Sequence, residues 1–134
     1  MTIRKPIGLV LLAVVLTGLQ GCITKAERSR LAELQAFEQE LPKFPDFQQA
    51  RYSDIYKSGT AVASYFYKSS ADFESVKQFY RKALLARGWT EEKQEGLFVT
   101  DDSPTTFRKG DYKIVLTLDE AFLWKYTIDF CWSD

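Results

Sequence analysis

The strongest pattern in the sequence is a strict alternation of apolar and polar side chains near its end. The even positions from 122 to 132 are all apolar: Phe122, Trp124, Tyr126, Ile128, Phe130 and Trp132. The odd positions between them include Lys125, Thr127 and Asp129. Successive side chains of a strand point to opposite faces of its sheet. The stretch therefore predicts a strand with one buried face and one hydrated face.

A second pattern, with the period of a helix, covers residues 71–88. Apolar side chains recur at helical spacing from Phe73 to Leu84. Acidic residues fall in the first turn and basic residues toward the last, as the helix dipole favours. Ser70 is the predicted N-cap, and Gly88 is predicted to close the helix in the left-handed conformation.

A strand is predicted just before this helix, over residues 58–69. Val, Tyr and Phe are enriched there, and no charge occurs before Lys68. Tyr65 and Tyr67 lie opposite Phe66 in the pattern, so the strand carries aromatic rings on both faces. If the tyrosine face is hydrated, these two side chains form an interaction surface, because tyrosine is enriched at protein interfaces.

The part of the chain after the helix predicts further strands separated by turns. A hairpin around residues 94–96 is expected first, followed by a strand after Pro104 and another after the Gly110-Asp111 turn. The predicted stretches are residues 89–93, 96–101, 105–109 and 112–118. The order of elements predicts an α+β two-layer sandwich, with an antiparallel sheet of about four to five strands and one long helix packed across it.

The segment before Pro42 is expected to be a helical spacer. Residues 24–41 are rich in helix formers, but their apolar stripe is thin. We interpret them as a solvated spacer, with docking on a partner as the alternative. Pro42 and Pro45 end the helix because proline lacks a backbone donor. The chain thus divides into a signal peptide at 1–21, a spacer at 22–41 and an α+β domain at 42–134.

The N-terminus has the features of a secretory signal peptide. A short basic head precedes 14 uncharged, mostly apolar residues, from Pro6 to Leu19. As a helix, this run would measure about 21 Å, which is short of the ~30 Å hydrocarbon core. A basic head, a short apolar run and small residues at its end are typical of a signal peptide. An uncleaved anchor that extends through Ile23 is the alternative.

Leu19-Gln20-Gly21-Cys22 resembles the lipobox of bacterial lipoprotein precursors. Gln20 departs from the small or hydroxyl residue that is usual there. The resemblance implies a diacylglyceryl group on the sulfur of Cys22 and cleavage between Gly21 and Cys22. Two or three acyl chains on one residue hold a protein firmly on a membrane, whereas one chain is marginal. The alternative is an unmodified cysteine after a signal peptide. Because no Asp follows the cysteine, the resemblance favours the outer membrane, facing the periplasm, in a cell with two membranes.

A second, looser resemblance covers residues 44–89. It is similar to a pattern of small exported bacterial proteins, in which a strand ending in Tyr and Ser precedes a helix of the form V..FY...L...GW. The matching residues are Val76, Phe79, Tyr80, Leu84, Gly88 and Trp89. This resemblance supports the fold and implies no site.

Composition excludes several classes of function. The chain has no histidine, which excludes His-activated nucleophiles and His-based metal sites. Two cysteines cannot make a thiolate metal cluster, and no glycine-rich phosphate loop occurs. Without residues 1–21, 16 basic residues face 18 acidic ones. This balance does not provide the positive field that nucleic acid binding needs.

The remaining candidates for chemistry are few. The pairs Asp101-Asp102 and Asp119-Glu120 are expected to be hydrated turn residues, since calcium binding or acid-base catalysis needs more ligands or a set separation. Cys131 is expected on the polar face beside Asp129, where the carboxylate raises the pKa of the thiol. An inert thiol is the main interpretation, and an intermolecular disulfide is the alternative.

These observations together predict a lipid-anchored, non-enzymatic protein of the bacterial cell envelope. Its partners would be the membrane, through Cys22, and another envelope protein, without metal, cofactor or nucleic acid. The second hypothesis is a carrier or sensor that holds a small hydrophobic ligand between helix and sheet. An enzyme built on carboxylates alone ranks last.

Overall fold

The computed structural model describes residues 24–121 and 123–134 of the chain. Two helices and six strands occur in these residues. In chain order they are α1 (Lys25–Glu40), β1 (Gln48–Lys57), β2 (Thr60–Lys68), α2 (Phe73–Leu85), β3 (Thr90–Glu91), β4 (Thr105–Lys109), β5 (Tyr112–Leu118) and β6 (Tyr126–Ser133). Neither helix is both long and apolar enough to span a bilayer.

The strands form one open antiparallel sheet in the order β1-β2-β6-β5-β4-β3. The predicted α+β class and antiparallel pairing are confirmed, but the prediction of four to five strands is wrong. The strand without a sequence signal is β1, a mostly exposed edge strand with a polar sequence. A two-residue turn at Ser58 and Gly59 joins it to β2, with φ angles of 50° and 74°. Positive φ at both positions matches the twist of a hairpin, which sets β1 against β2.

The alternation near the chain end is confirmed in β6. Tyr126, Ile128, Phe130 and Trp132 are all buried on the side that faces the helices. In the sheet register, Ile128 lies between Tyr65 of β2 and Leu116 of β5. This places β6 at the middle of the core. The strand begins at Tyr126 and is therefore shorter than the predicted stretch, and Phe122 lies outside the described residues.

Both helices pack on one face of the sheet, so the prediction of one helix is wrong. Phe73 of α2 stacks on Tyr126, with ring centroids 6.1 Å apart. Phe37 of α1 meets Tyr112 of β5 edge to face at 4.9 Å. Six strands span about 24 Å, whereas a helix is about 10 Å wide. Because one helix cannot cover this width, α1 supplies the rest of the layer.

The expectation that α1 is a solvated spacer is therefore wrong. It crosses β2 and β6, and Leu34 at its middle is only 1% exposed. The carboxylate of Glu38 accepts a hydrogen bond from the Tyr67 hydroxyl at 3.3 Å and pairs with Lys43 at 3.4 Å. The predicted boundary after residue 41 does not separate α1 from the domain, because its thin apolar stripe is sufficient to cover the aromatic face of β2.

Helix α2 forms where its pattern predicts it, but with a different N-cap. Asp72 caps the helix, and its Oδ2 accepts a hydrogen bond from the backbone N–H of Ser75 at 3.1 Å. Ser70 instead donates to Asp46 from both its backbone N–H and its hydroxyl. Gly88 follows the helix with φ at +83°, as predicted for a left-handed C-terminal residue.

The predicted hairpin around residues 94–96 is wrong. The short strand β3 pairs with β4 instead, with Thr90 opposite Arg108 and Glu91 opposite Phe107. Residues 96–101 form turns and bends, and no ladder includes them. The Glu92 N–H donates to the Thr106 carbonyl at 2.9 Å, so the chain continues along β4 after β3 instead of turning back on β3.

Candidate interaction surface

The structure buries both tyrosines predicted to form an interaction surface. Tyr65 is 6% exposed and Tyr67 is 1% exposed, so neither offers a surface to a partner. Both point toward the helices because odd positions of β2 face α1, while Phe66 lies on the opposite side. Burial first, and the nearby Glu38 carboxylate second, raise the pKa of both phenols. The two rings belong to the core.

The helix-free face of the sheet carries the second cysteine. Cys131 sits beside Asp129, whose Oδ1 accepts a hydrogen bond from the Ser64 hydroxyl at 2.5 Å. Burial and the Asp129 charge raise the pKa of the Cys131 thiol to about 11, and Lys113 opposes them. The predicted effect of Asp129 is confirmed. A thiol with a raised pKa is a poor nucleophile at neutral pH. Gly21 and Cys22 lie outside the described residues.

The acidic pairs do not converge into a metal site. Asp101 and Asp102 are exposed in the segment before β4, and Asp119 and Glu120 follow β5. Over residues 24–121 and 123–134, no group of three or more acidic or cysteine side chains is arranged to hold a metal ion. The Asp119 carboxylate accepts a hydrogen bond from the Ala121 backbone at 3.0 Å, as turn residues do.

The two acidic segments nevertheless meet at one end of the sheet, which we call the loop end. It consists of residues 92–104, 119–121 and 123–125. The ladder pairs Thr105 with Leu116, and Leu118 with Tyr126. The start of β4, the end of β5 and the start of β6 therefore lie side by side. The loop from β3 to β4 and the loop from β5 to β6 therefore project from the same end of the sheet.

The loop end carries the most exposed large apolar side chains among the described residues. Leu97 is 98% exposed, Phe98 is 94% exposed and Leu123 is 89% exposed. Val99 adds a fourth, partly exposed side chain at 42%. Burying one such side chain is worth about 1.5–3 kcal/mol. At Leu97, Phe98 and Leu123, which lie at the same end of the sheet, the domain does not gain this stabilisation.

The longer loop is fastened to α2 by a buried lysine. The Lys77 ammonium donates to the backbone carbonyl of Asp101 at 2.8 Å and lies 3.1 Å from the Glu74 carboxylate. It also sits 4.9 Å from the centre of the Phe73 ring. Within the loop, the Thr100 N–H donates to the Ser103 hydroxyl at 2.9 Å. These bonds fix the base of the loop and leave the tip at Leu97 and Phe98 projecting.

The shorter loop is closed in a similar way. The Lys125 ammonium donates to the Ala71 carbonyl at 2.8 Å, and the Tyr126 hydroxyl donates to the same oxygen at 2.6 Å. Across its base, the Asp119 N–H donates to the Lys125 carbonyl at 2.8 Å. Leu123 therefore lies at the tip of a loop with an ordered base.

The chain enters the domain at the opposite end of the sheet. Near the start of α1, Arg30 donates to the Tyr112 hydroxyl at 3.0 Å and lies 4.2 Å above the Trp132 ring. Tyr112 begins β5 and Trp132 is near the end of β6. Eight residues further along α1, the Glu38 carboxylate contacts the Tyr67 hydroxyl, and Tyr67 pairs with Tyr126 at the start of β6. Arg30 near the start of α1 therefore lies at the end of the sheet opposite the loop end.

No protein-family model, curated protein or solved structure matches this chain. The description of the fold and of the loop end therefore depends on this chain's own residues alone. The sequence contains a signal for the longer loop, although its apolar residues also fit the predicted strand over 96–101. The apolar run at 97–99 has turn formers on both sides, Gly96 before it and Asp101-Asp102 after it. Three apolar residues between turn signals fit a loop tip as well as a strand.

Proposed function

We propose that this chain is a lipid-anchored, non-enzymatic protein of the bacterial cell envelope whose α+β domain presents its loop end to another envelope protein. The observation that supports this function is the exposure of Leu97, Phe98 and Leu123 at the end of the sheet opposite the start of α1. Clustered exposed apolar side chains are typical of interaction sites. The non-enzymatic part of the proposal rests on composition: the sequence contains no histidine, the residue that most often serves as a general acid or base.

The anchor and the loop end have complementary geometry in this proposal. Cys22 precedes Thr24 by two residues, so acyl chains on its sulfur hold the start of α1 at the membrane. The loop end then points away from the bilayer, toward proteins in the periplasm if the anchor lies in an outer membrane. Confinement to one surface raises the effective concentration of the domain for its neighbours there.

Lipidation is tested by metabolic labelling with an alkyne analogue of palmitate. We expect the wild-type chain to take up the label and to sediment with membranes at the mass of a processed, acylated protein. The Cys22→Ser variant should remain unlabelled and uncleaved. Cys131→Ser is the matched control and should be labelled like the wild type. A wild-type chain that carries no label would contradict the anchor.

Partner binding is tested by a photocrosslinking amino acid placed at position 97 or 123 in intact cells. We expect a discrete crosslinked product from both positions. Leu85 is the matched control, because it is also an exposed leucine, at 49%, but lies at the end of α2 away from the loop end. If positions 97 and 123 give no product, or the same products as position 85, the loop end is not a partner surface.

A carrier remains the second candidate because a cleft of about 250 Å³ opens between the two helices. Its apolar floor is formed by Phe37, Leu41, Leu84, Trp89 and Ile114. This volume lies below the usual range of roughly 300–1,000 Å³ for small-ligand pockets, so only a short acyl chain would fit. Titration with octanoate tests this function through tryptophan fluorescence, to which Trp89 at the cleft contributes. A saturable change that Trp89→Phe abolishes would favour the carrier, and an unchanged wild-type spectrum would dismiss it.

A further inference from the structure

We infer that the partner segment at the loop end is a basic amphipathic stretch of protein, with an apolar row flanked by lysine or arginine. This inference rests on the proposed function of the loop end as a partner surface, and it adds the chemistry of the partner. Apolar tips at the edge of a domain fit two kinds of surface, a protein segment or a lipid bilayer. The charges around the tips decide between them.

The loop end is strongly acidic. It contains six acidic residues and two basic ones. The acidic residues are Glu92, Glu95, Asp101, Asp102, Asp119 and Glu120, and the basic ones are Lys93 and Lys125. Only Glu92 has an ion-pair partner among the described residues, namely Arg108 of β4. The other five carboxylates have no ion pair among the described residues, and of these Asp119 accepts a hydrogen bond from the Ala121 N–H.

Two lysines near the loops are hydrogen-bonded to the backbone at the loop bases. The Lys125 ammonium is hydrogen-bonded to the Ala71 carbonyl, and the Lys77 ammonium to the Asp101 carbonyl. Lys77 also pairs with Glu74 at the exposed side of α2. These bonds hold both cations at the base of the loops, behind Leu97, Phe98 and Leu123. With Lys93 and Lys125 counted against the six acidic residues, the loop end carries a net charge of −4, so the field at the tips is negative.

This arrangement disfavours an anionic bilayer as the occupant. The carboxylates lie in the same loops as the apolar tips, and a field from a surface charge extends over a Debye length of about 8 Å. Their like charge opposes the approach of an anionic surface and favours a cationic one. A partner with an apolar row and flanking basic residues satisfies both features at once, since the row covers the tips and the cations meet the carboxylates.

The test uses two synthetic 14-residue amphipathic helices as probes, one of leucine and lysine and one of leucine and glutamate. Each carries a fluorophore, and the full chain is kept in a mild neutral detergent. We expect the Leu/Lys peptide to bind with an affinity that falls about tenfold between 50 and 300 mM NaCl. The Leu/Glu peptide should bind at least tenfold more weakly at low salt.

Variants connect binding to the loop end. Asp101→Asn with Asp102→Asn should weaken the Leu/Lys peptide several-fold and reduce its salt dependence. Asp111→Asn with Asp134→Asn, at the opposite end of the sheet, is the matched control and should change neither. Leu97→Ser should weaken binding at low and high salt alike, whereas Leu85→Ser should not.

Three results would overturn the inference. They are equal binding of the two peptides, a salt dependence unaffected by the Asp101 and Asp102 changes, and capture of the chain through Leu97 by vesicles of phosphatidylglycerol and phosphatidylcholine. These outcomes differ from a failure of the proposed function. A crosslink from position 97 to a partner whose contact surface is acidic would remove the inference but keep the function, while no crosslink at all would remove the function.

Discussion

Truncating Leu34 to alanine is the most direct test of how this domain is built. Leu34 lies at the middle of α1, the helix that the sequence pattern suggests is a solvated spacer, and its side chain is 1% exposed against the sheet. If α1 is part of the core, the change removes packed side-chain atoms and leaves a cavity. If α1 is a spacer in solution, the change removes only exposed methyl groups.

The expected magnitude follows from burial. A fully buried leucine truncated to alanine loses about 2–5 kcal/mol of unfolding free energy through lost transfer energy and a residual cavity. Because α1 is a surface helix that can settle toward the sheet, we expect about 3 kcal/mol. Alanine favours a helix slightly more than leucine does, so the loss must come from packing. For a domain of this size, the melting temperature should fall by roughly 10 °C.

The assay is urea unfolding followed by tryptophan fluorescence, in parallel for Leu34→Ala and Leu97→Ala. The second variant is the matched control, because it makes the same chemical change at a side chain that is 98% exposed. We expect it to unfold within about 0.5 kcal/mol of the wild type. Equal, small effects of the two substitutions, with unchanged urea dependence, would refute the packing of α1.

Three further predictions test groups whose environment the fold sets. Burial raises the pKa of Asp129, so the native state holds this proton more tightly than the unfolded chain. Its contribution to stability is present below the unfolded pKa, near 4, and is lost as the pH rises through the native pKa. Asp129→Asn should therefore gain urea stability relative to the wild type between pH 4 and 7; a difference that is equal at both pH values would contradict this. Because the Cys131 thiol has a pKa of about 11, iodoacetamide at pH 8 should alkylate it more than tenfold more slowly in the folded Cys22→Ser chain than in urea, and comparable rates would be evidence against its burial. Lys77→Met should make the loop before β4 about tenfold more sensitive to limited proteolysis, because the bond to the loop backbone is lost, whereas the exposed Lys82→Met should not; equal cleavage of the two variants would show that Lys77 does not hold the loop.

Local sequence patterns predict the elements that can be recognised without knowing which other elements they pack against. The alternation from Tyr126 to Trp132 specifies a strand and its buried face, and it does so without reference to any neighbour. The apolar spacing in α2 and Gly88 after it likewise specify a helix and its end. The pattern places the N-cap two residues early, since Ser70 and Asp72 can both accept the first N–H groups and only the packed structure binds Ser70 to Asp46.

The candidate site was less accessible to sequence reasoning. The prediction that Tyr65 and Tyr67 form an exposed surface is wrong, because the exposure of β2 depends on whether another element covers it. That element is α1, some 30 residues away in the chain. The sequence pattern predicts a strand at Leu97 and Phe98, because an apolar run is ambiguous until its pairing is known. Neither error involved the local conformation of β2, which forms as predicted.

Periodicity and bonds between near neighbours specify the α+β class, the antiparallel pairing, helix α2 and the buried face of β6. Three other features are set by the packed structure: α1 joins the core, β1 is a strand, and two acidic loops meet at the end of the sheet opposite the start of α1. Those features depend on contacts between distant segments, where burial of a shared face outweighs weak local preferences.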